Sequence, residues 1–171
     1  YHIIKPYLLD MLPSMNNPVM LTADLGFAKR GRRYAEALNI PLAFIEKRRH
    51  GNRDKSEALT IIGDVLHRDV ILIDDEVDTG GSMAEAATLA KENGAENIYM
   101  VFVHPILSTN AVERLAALPV KQFITTNTIP IPPERQALFG GRLTILTIGP
   151  LLGEVIRRAN EGRSVGAMFN E

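Results

Sequence analysis

The sequence predicts an α/β fold in which helices cover both faces of a mainly parallel central sheet. Short apolar runs alternate with helix-like stretches along the chain. Most of these runs are continuously apolar, which is typical of strands buried on both faces of a parallel sheet. The chain has 171 residues, 46% of them hydrophobic and 23% charged, and this suits one globular domain with a substantial core.

Each element is predicted from its apolar pattern and from the residues that start and stop it. Residues 1–17 are interpreted as a connector and lead-in helix, and residues 18–171 as the domain itself. A buried strand follows Pro18, and the helix after it places Ala35 and Leu38 on one face. Strands are predicted at residues 19–23, 42–45, 69–74, 97–103, 122–126 and 143–148. Helices are predicted at residues 28–38, 82–91, 110–117 and 150–160, and a Pro-rich loop at 129–136.

Composition and charge exclude several classes of protein. The formal net charge is −1, so the chain as a whole lacks the basic character of a nucleic-acid binder. It has no cysteine, which excludes disulfides and thiolate metal sites and fits a reducing cytoplasm, where we expect the protein to work. We see no apolar run long enough to span a membrane and no secretory signal, so we expect no membrane partner.

The most informative stretch is VILIDDEVDTGGSM, residues 70–83, in which a buried strand runs into carboxylates and then into a glycine turn. Asp74 and Asp75 fall at the carboxyl end of that strand, where ligands bind to parallel sheets. Two adjacent carboxylates repel each other and are costly to desolvate. We therefore expect a sugar diol, or a nearby Mg²⁺ ion, to compensate them.

The glycine turn predicts a phosphate cradle at the start of the following helix. Glycines let backbone N–H groups turn inward, the helix start contributes the positive end of its dipole, and Thr79 and Ser82 offer hydroxyls. The alternative is a polar loop in which Ser82 caps the helix. The length of the whole string favours the ligand-binding interpretation. Since no Gly-Lys-Ser/Thr follows, the turn is not a Walker-type loop.

This string resembles the phosphoribosyl pyrophosphate (PRPP) binding motif of the type I phosphoribosyltransferase fold, which is Rossmann-like. Four further stretches resemble the carboxyl-terminal half of ribose-phosphate diphosphokinase, also called PRPP synthetase. They are residues 21–49, 101–115, 126–130 and 151–169. The resemblance covers nearly the whole chain in order. It implies transfer of diphosphate from ATP to the anomeric hydroxyl of ribose 5-phosphate, which gives PRPP and AMP.

The resemblance also implies a role for each site residue. Lys47 and Arg49 match a mobile loop whose side chains stabilise the transferred phosphates, and they are the expected catalytic residues. Asp24 and Gly26 match the turn that holds the diphosphate, and Asp24 is also the expected ligand of a Mg²⁺ cofactor. The residues expected to bind ribose 5-phosphate are Asp74 and Asp75 at the hydroxyls, with Asp78, Thr79, Gly80, Gly81 and Ser82 at the 5-phosphate.

The sequence departs from the family pattern in three respects. Phe27 stands where a second glycine is common, and we expect it to crowd the diphosphate turn. The loop at residues 50–54 differs in sequence and is one residue longer. The family's enzymes are about twice this length, and their amino-terminal half supplies a magnesium-binding histidine and most of the adenine pocket. We therefore interpret the chain as the second half of a two-domain enzyme, a natural half-length relative, or a non-catalytic partner subunit.

Two other functions remain open. One is a phosphoribosyltransferase that uses PRPP and a base, which would need a base-binding hood for which no aromatic segment stands out. The other is a regulatory subunit that binds ribose phosphates without turnover. The resemblance further implies a homo-oligomer, with phosphate or ADP as effectors. His104 is interpreted as a packed or capping group, and Arg157 and Arg158 are interpreted as surface or interface groups.

Overall fold

The structure, a computed structural model, describes residues 1–24, 26–49 and 57–169, and of residues 47–49 and 57–58 it describes the backbone alone. Within these ranges the strands are Val19–Thr22 (β1), Leu42–Arg49 (β2), Glu57–Ile62 (β3), Asp69–Val77 (β4), Asn97–Pro105 (β5), Gln122–Thr126 (β6) and Leu143–Leu146 (β7). The α-helices are Ile4–Met11 (α1), Ala28–Leu38 (α2), Gly81–Glu92 (α3), Ala111–Ala116 (α4), Pro133–Ala137 (α5) and Gly149–Asn160 (α6).

The strands form one sheet in the order β3-β2-β1-β4-β5-β6-β7. All neighbours in this sheet are parallel except β2 and β3, which are antiparallel. The predicted mainly parallel α/β fold is therefore confirmed. The chain order reverses between β1 and β4, which pair with Thr22 beside Ile73. In such sheets a crevice opens at the carboxyl ends of the strands where the order reverses.

Strand β4 supplies core residues to both faces of the sheet. Val70 and Leu72 belong to the cluster that packs with α3 and α4, whereas Ile71 and Ile73 belong to the cluster that packs with α1 and α2. All four side chains are fully buried. Because side chains alternate along a strand, the next residues continue these two rows. Asp74 therefore follows the row on the α3 face, and Asp75 follows the row on the α2 face.

The sequence prediction was wrong between residues 46 and 62. Strand β2 continues to Arg49, and β3 pairs with it so that Lys47 lies opposite Leu59. The expected catalytic residues Lys47 and Arg49 therefore have their backbone in a strand rather than in a loop, while their side chains and residues 50–56 lie outside the described residues. The sequence signal that could have predicted β3 is an alternation of buried and exposed side chains. Leu59 and Ile61 pack on the core, while Thr60 and Ile62 are exposed.

Two other elements differ from the prediction. Strand β4 extends to Val77 because it keeps pairing with β5, placing Asp74 beside Phe102 and Glu76 beside His104. The first two carboxylates thus lie within the strand rather than beyond its end. The predicted Pro-rich loop contains the short helix α5, which begins with a proline in its first turn.

Helix α6 is amphipathic and lies at the surface. Leu152 and Ile156 are 49% and 68% exposed. Arg157 and Arg158 both form ion pairs with Glu154, which agrees with their interpretation as surface groups. None of the helices in the described ranges combines the length and apolarity needed to cross a membrane.

The close contact of α2 with β1 predicts that residue 31 must be a glycine. A Cβ at this position would lie 2.3 Å from Cγ2 of Thr22, which is buried, β-branched and restricted in its rotamers. We expect Gly31→Ala to lower the free energy of unfolding by about 1–3 kcal/mol, because overpacking outweighs the better helix propensity of alanine. Urea denaturation would measure the change.

Gly153→Ala is the matched control for this prediction. Gly153 also lies in a helix, but no atom of the described residues comes within 4 Å of the added methyl group. This variant should gain about 0.5–1 kcal/mol in free energy of unfolding from helix propensity alone. Equal changes in the two variants would contradict the steric explanation.

Candidate functional site

A cavity of about 270 Å³ lies at the carboxyl ends of β1 and β4 and is lined by Asp24 and residues 74–83. The structure thus brings together most of the predicted site residues, namely Asp24, Asp74, Asp75, Asp78, Thr79, Gly80, Gly81 and Ser82. Gly26 lies outside this lining, in the turn after Asp24. The roles of all these residues stay predictions.

The glycine turn forms the amino-terminal end of α3. Gly80 precedes the helix with φ of +74°, a left-handed conformation that favours glycine, and its carbonyl accepts the N–H of Ala84 at 3.0 Å. The alternative in which Ser82 caps the helix is wrong, since Gly80 occupies that position and no side chain caps it. In the described part of the chain, no acceptor bonds to the N–H groups of residues 79–83. Unpaired N–H groups at a helix start are suited to an anion.

The carboxyl group of Asp74 is perturbed by its surroundings in the cavity. It is half-buried, and its Oδ1 accepts the N–H of Asp75 at 2.9 Å. Burial, followed by the charges of Asp75 and Asp24, raises the pKa of Asp74 from 3.8 to about 7, although the N–H bond acts in the opposite direction. A hydrogen-bond donor or a cation in the cavity would favour the ionised form of this carboxyl.

Asp75 has a partner that the sequence prediction missed. Its carboxylate forms an ion pair with Arg30 of α2. Both side chains are substantially exposed, so the pair contributes little to stability. It does neutralise one of the two adjacent carboxylates. No local motif pointed to Arg30, because the contact spans 45 residues of sequence.

The turn after β1 is built around the side chain of Asp24. Its Oδ1 accepts the N–H of Phe27 at 3.0 Å, and a Cβ on Gly26 would lie only 3.1 Å from the same oxygen. Gly26 therefore permits a close approach that a larger residue would disturb. The expectation that Phe27 crowds this turn is wrong, since its ring is only 7% exposed and packs in the core cluster that contains Ile4 and Tyr34.

A second cavity of about 400 Å³ lies on the α2 side and shares Asp75 with the first. Phe27, Arg30 and His104 are among the residues that line it. His104 is exposed, and its Nδ1 lies 3.0 Å from Oγ1 of Thr128. The two cavities are thus neighbours on the same edge of the sheet.

The carboxylates suit a metal ion that is shared with a ligand. Within the described residues, no group of three or more His, Asp and Glu side chains could hold a metal by itself. Asp24 and Asp74 nevertheless line the same cavity and repel each other. Mg²⁺ is usually bound through one or two carboxylates together with substrate phosphates and waters. These two oxygen donors fit that pattern.

Comparison with known proteins connects this site to one family. The family model described as phosphoribosyl synthetase-associated domain matches residues 52–170. The chain is 41% identical, over 168 residues, to a ribose-phosphate pyrophosphokinase of Nostoc sp., and the match covers 96% of this chain and 50% of the relative. The chain therefore spans about half the length of the curated relatives that it matches.

Solved structures give the same relationship. A phosphoribosylpyrophosphate synthetase from Mycobacterium smegmatis superimposes with a TM-score of 0.81 at 33% identity, covering 93% of this chain and 50% of that one. An adenine phosphoribosyl transferase from Trypanosoma brucei superimposes with a TM-score of 0.51 at 20% identity, covering 67% and 56% of the two chains. The second likeness shows a shared fold alone.

The left-handed conformation of Gly80 predicts the effect of a substitution in the turn. We expect Gly80→Ala to lower the free energy of unfolding by about 1–2 kcal/mol, because a Cβ is disfavoured at positive φ and would lie 3.3 Å from Leu115. Gly81→Ala is the matched control, since its nearest contact would be an ordinary 3.7 Å. Chemical denaturation should show a loss for Gly80→Ala and a change within about 0.5 kcal/mol for Gly81→Ala. A similar loss in both variants would be evidence against the conformational argument.

The raised pKa of Asp74 predicts a pH-dependent stability. The folded state binds the proton of the Asp74 carboxyl more tightly than the unfolded chain does. The stabilisation of the folded state by this proton is therefore complete below about pH 4 and is lost as the pH rises to about 7. We expect the melting temperature of Asp74→Asn, relative to wild type, to increase between pH 5 and 8, by on the order of a few degrees. Thermal denaturation across this range would measure the difference.

Asp64→Asn provides the control for this pH series. Hydrogen bonds from the Leu66 N–H and from Arg68 hold the pKa of Asp64 below its ordinary value of 3.8, so Asp64 is ionised in both states above pH 5. The difference in melting temperature between this variant and wild type should stay constant from pH 5 to 8. A constant difference for Asp74→Asn as well would contradict the assigned shift.

Proposed function

The chain belongs to the family of the phosphoribosyl synthetase-associated domain, and from this premise we propose that it is the ribose 5-phosphate-binding half of a ribose-phosphate diphosphokinase. Such an enzyme transfers diphosphate from ATP to ribose 5-phosphate and gives PRPP and AMP. The observation that carries the proposal is a single cavity that combines a carboxylate pair with a row of unpaired backbone N–H groups. The first suits a sugar diol and the second a phosphate.

The cradle of residues 78–82 is assigned to the 5-phosphate. Its N–H groups have no other acceptor in the described residues, and α3 adds the dipole of a 12-residue helix behind them. The hydroxyls of Thr79 and Ser82 are available at the same rim of the cavity. These groups need no rearrangement to receive an anion, which lowers the cost of binding it.

The two aspartates of β4 are assigned to the ribose hydroxyls. Asp74 lacks a cationic partner among the described residues and has a raised pKa, so hydroxyl donors would stabilise its ionised form. Asp75 is paired with Arg30, which leaves its remaining lone pairs able to accept a second hydroxyl. A diol that spans both carboxylates would hold the sugar in one orientation.

Diphosphate transfer itself requires charge neutralisation more than proton chemistry. The anomeric oxygen attacks the β-phosphorus of ATP and releases its proton to solvent, while AMP departs with the electrons of the broken P–O bond. Mg²⁺, when bound, would neutralise the phosphates and polarise the P–O bond. We assign Asp24 to hold that ion. On the basis of the resemblance, we assign Lys47 and Arg49 to neutralise the charge of the same phosphates. The backbone supports this, because β2 pairs in parallel with β1 up to Phe44, opposite Thr22, and then continues to Arg49 past the carboxyl end of β1, which Asp24 follows.

Several further properties are proposals: the full reaction, the use of ATP as a substrate, and regulation by phosphate or ADP. A homo-oligomeric state and a cytoplasmic location are proposals as well. The relatives are about twice as long as this chain, so the adenine site is assigned to the part of those enzymes that it does not match. A phosphoribosyltransferase that acts on a base and a regulatory subunit without turnover are the competing outcomes of the experiments below.

Isothermal titration of the chain with ribose 5-phosphate, ribose and inorganic phosphate tests the binding proposal. We expect ribose 5-phosphate to bind at least about tenfold more tightly than either fragment, because it engages both halves of the cavity. Asp74→Asn should weaken its binding by about 10-fold to 100-fold, since hydrogen bonds to charged acceptors are the stronger ones. Asp64→Asn, on the amino side of β4, should leave binding unchanged. Equal binding of all three ligands would defeat the proposal.

Turnover separates the three functions. AMP formation from ribose 5-phosphate, ATP and Mg²⁺ supports the diphosphokinase. Base-dependent loss of PRPP supports the transferase instead. Binding of ribose 5-phosphate without AMP formation, even when the amino-terminal half of a related diphosphokinase is supplied, supports the regulatory subunit.

A further inference from the structure

We infer that Arg114 is a positioning residue of the phosphate cradle, because its guanidinium holds the carbonyl of Thr79 and thereby turns the N–H of Gly80 toward the cavity. The inference rests on the proposed function, in which this cradle binds a phosphate. Arg114 lies within residues 101–115, one of the stretches that resemble the family, but no role was predicted for it. It lies in α4, 35 residues after Thr79 in the chain.

The contact is a short, charge-assisted hydrogen bond. Nη1 of Arg114 donates to the carbonyl oxygen of Thr79 at 2.6 Å. Helix α4 is itself fixed, since Val112 and Leu115 on either side of the arginine are fully buried in the core. In a planar trans peptide the C=O and N–H groups point in opposite directions. The N–H of Gly80 therefore points away from Arg114, on the side of the cavity that Gly80 lines.

Arg114 binds the third of three consecutive carbonyls, those of residues 77–79, which all accept hydrogen bonds from residues 107–114. The N–H of Leu107 donates to the carbonyl of Val77 at 2.8 Å, and the N–H of Ser108 donates to that of Asp78 at 2.9 Å. Leu107 adopts a φ of +51°, a costly conformation for a residue with a side chain. The first two bonds use backbone groups that any sequence supplies. The third depends on a side chain, so substitution can remove it selectively.

The held peptide is one that can rotate. Gly80 tolerates both signs of φ, and its N–H has no acceptor in the described residues. A flip of the Thr79–Gly80 peptide would place a carbonyl oxygen where the cradle presents an N–H, and this would repel an anion. Arg114 also places its charge beside the cradle, with Nη1 3.9 Å from where a Cβ on Gly81 would lie.

The test compares Arg114→Met and Arg114→Lys with wild type, with Arg157→Met as the matched control on α6. For Arg114→Met we expect the affinity for ribose 5-phosphate to fall by about tenfold or more. We also expect the ¹H–¹⁵N resonance of the Gly80 amide to shift or broaden without ligand, while the melting temperature stays near that of wild type. Arg114→Lys keeps a charged donor and should recover most of the affinity. Arg157→Met should match wild type in every measurement.

The outcomes separate the inference from the proposed function. An unmoved Gly80 resonance in Arg114→Met overturns the inference, whether or not the wild type binds ribose 5-phosphate. A wild type that fails to bind ribose 5-phosphate defeats the proposed function, while a moved Gly80 resonance would still support the positioning role. Loss of folding in Arg114→Met would also overturn the inference, because Arg114 would then be a general structural residue.

Discussion

Parallel pairing of β1 with β4 is the constraint on which the rest of the site depends. The pair places Thr22 beside Ile73, so the residues that follow each strand emerge at the same edge of the sheet. Asp24 and the β4 aspartates come from distant parts of the sequence and meet only because of this register. The helices that follow the two strands pack on opposite faces, which leaves the crevice between them open. The glycine turn occupies this crevice and does not create it.

Strand alternation then gives the two adjacent aspartates different environments. Asp75 continues the row of side chains that faces α2 and meets Arg30 there. Asp74 continues the other row, where burial and the charges of Asp75 and Asp24 raise its pKa. One carboxylate is therefore compensated within the fold, while the other depends on whatever enters the cavity. This asymmetry follows from the period of the strand and not from a difference in residue type.

The sequence predicts those parts of the fold and of the site whose signals are local. The bounds of α2 and β6 match the prediction because each is a periodic or continuous apolar segment between clear stops. The extension of β2 to Arg49 and the whole of β3 were missed because both flank a run of charged residues that is typical of a loop. Arg30 and Arg114 were missed for another reason, since their contacts with the acid pair and the glycine turn span 45 and 35 residues. Only the topology of the sheet brings such residues together.

The environment of Asp74 makes the binding of a ligand in the cavity depend on pH. Near pH 7 this carboxyl is partly protonated, and any ligand that favours its ionised form must displace the proton into solution. The buffer then takes up that proton and adds its own enthalpy of ionisation to the heat that is observed. The apparent enthalpy of binding would therefore differ between Tris and HEPES solutions, although the contacts between ligand and protein are the same.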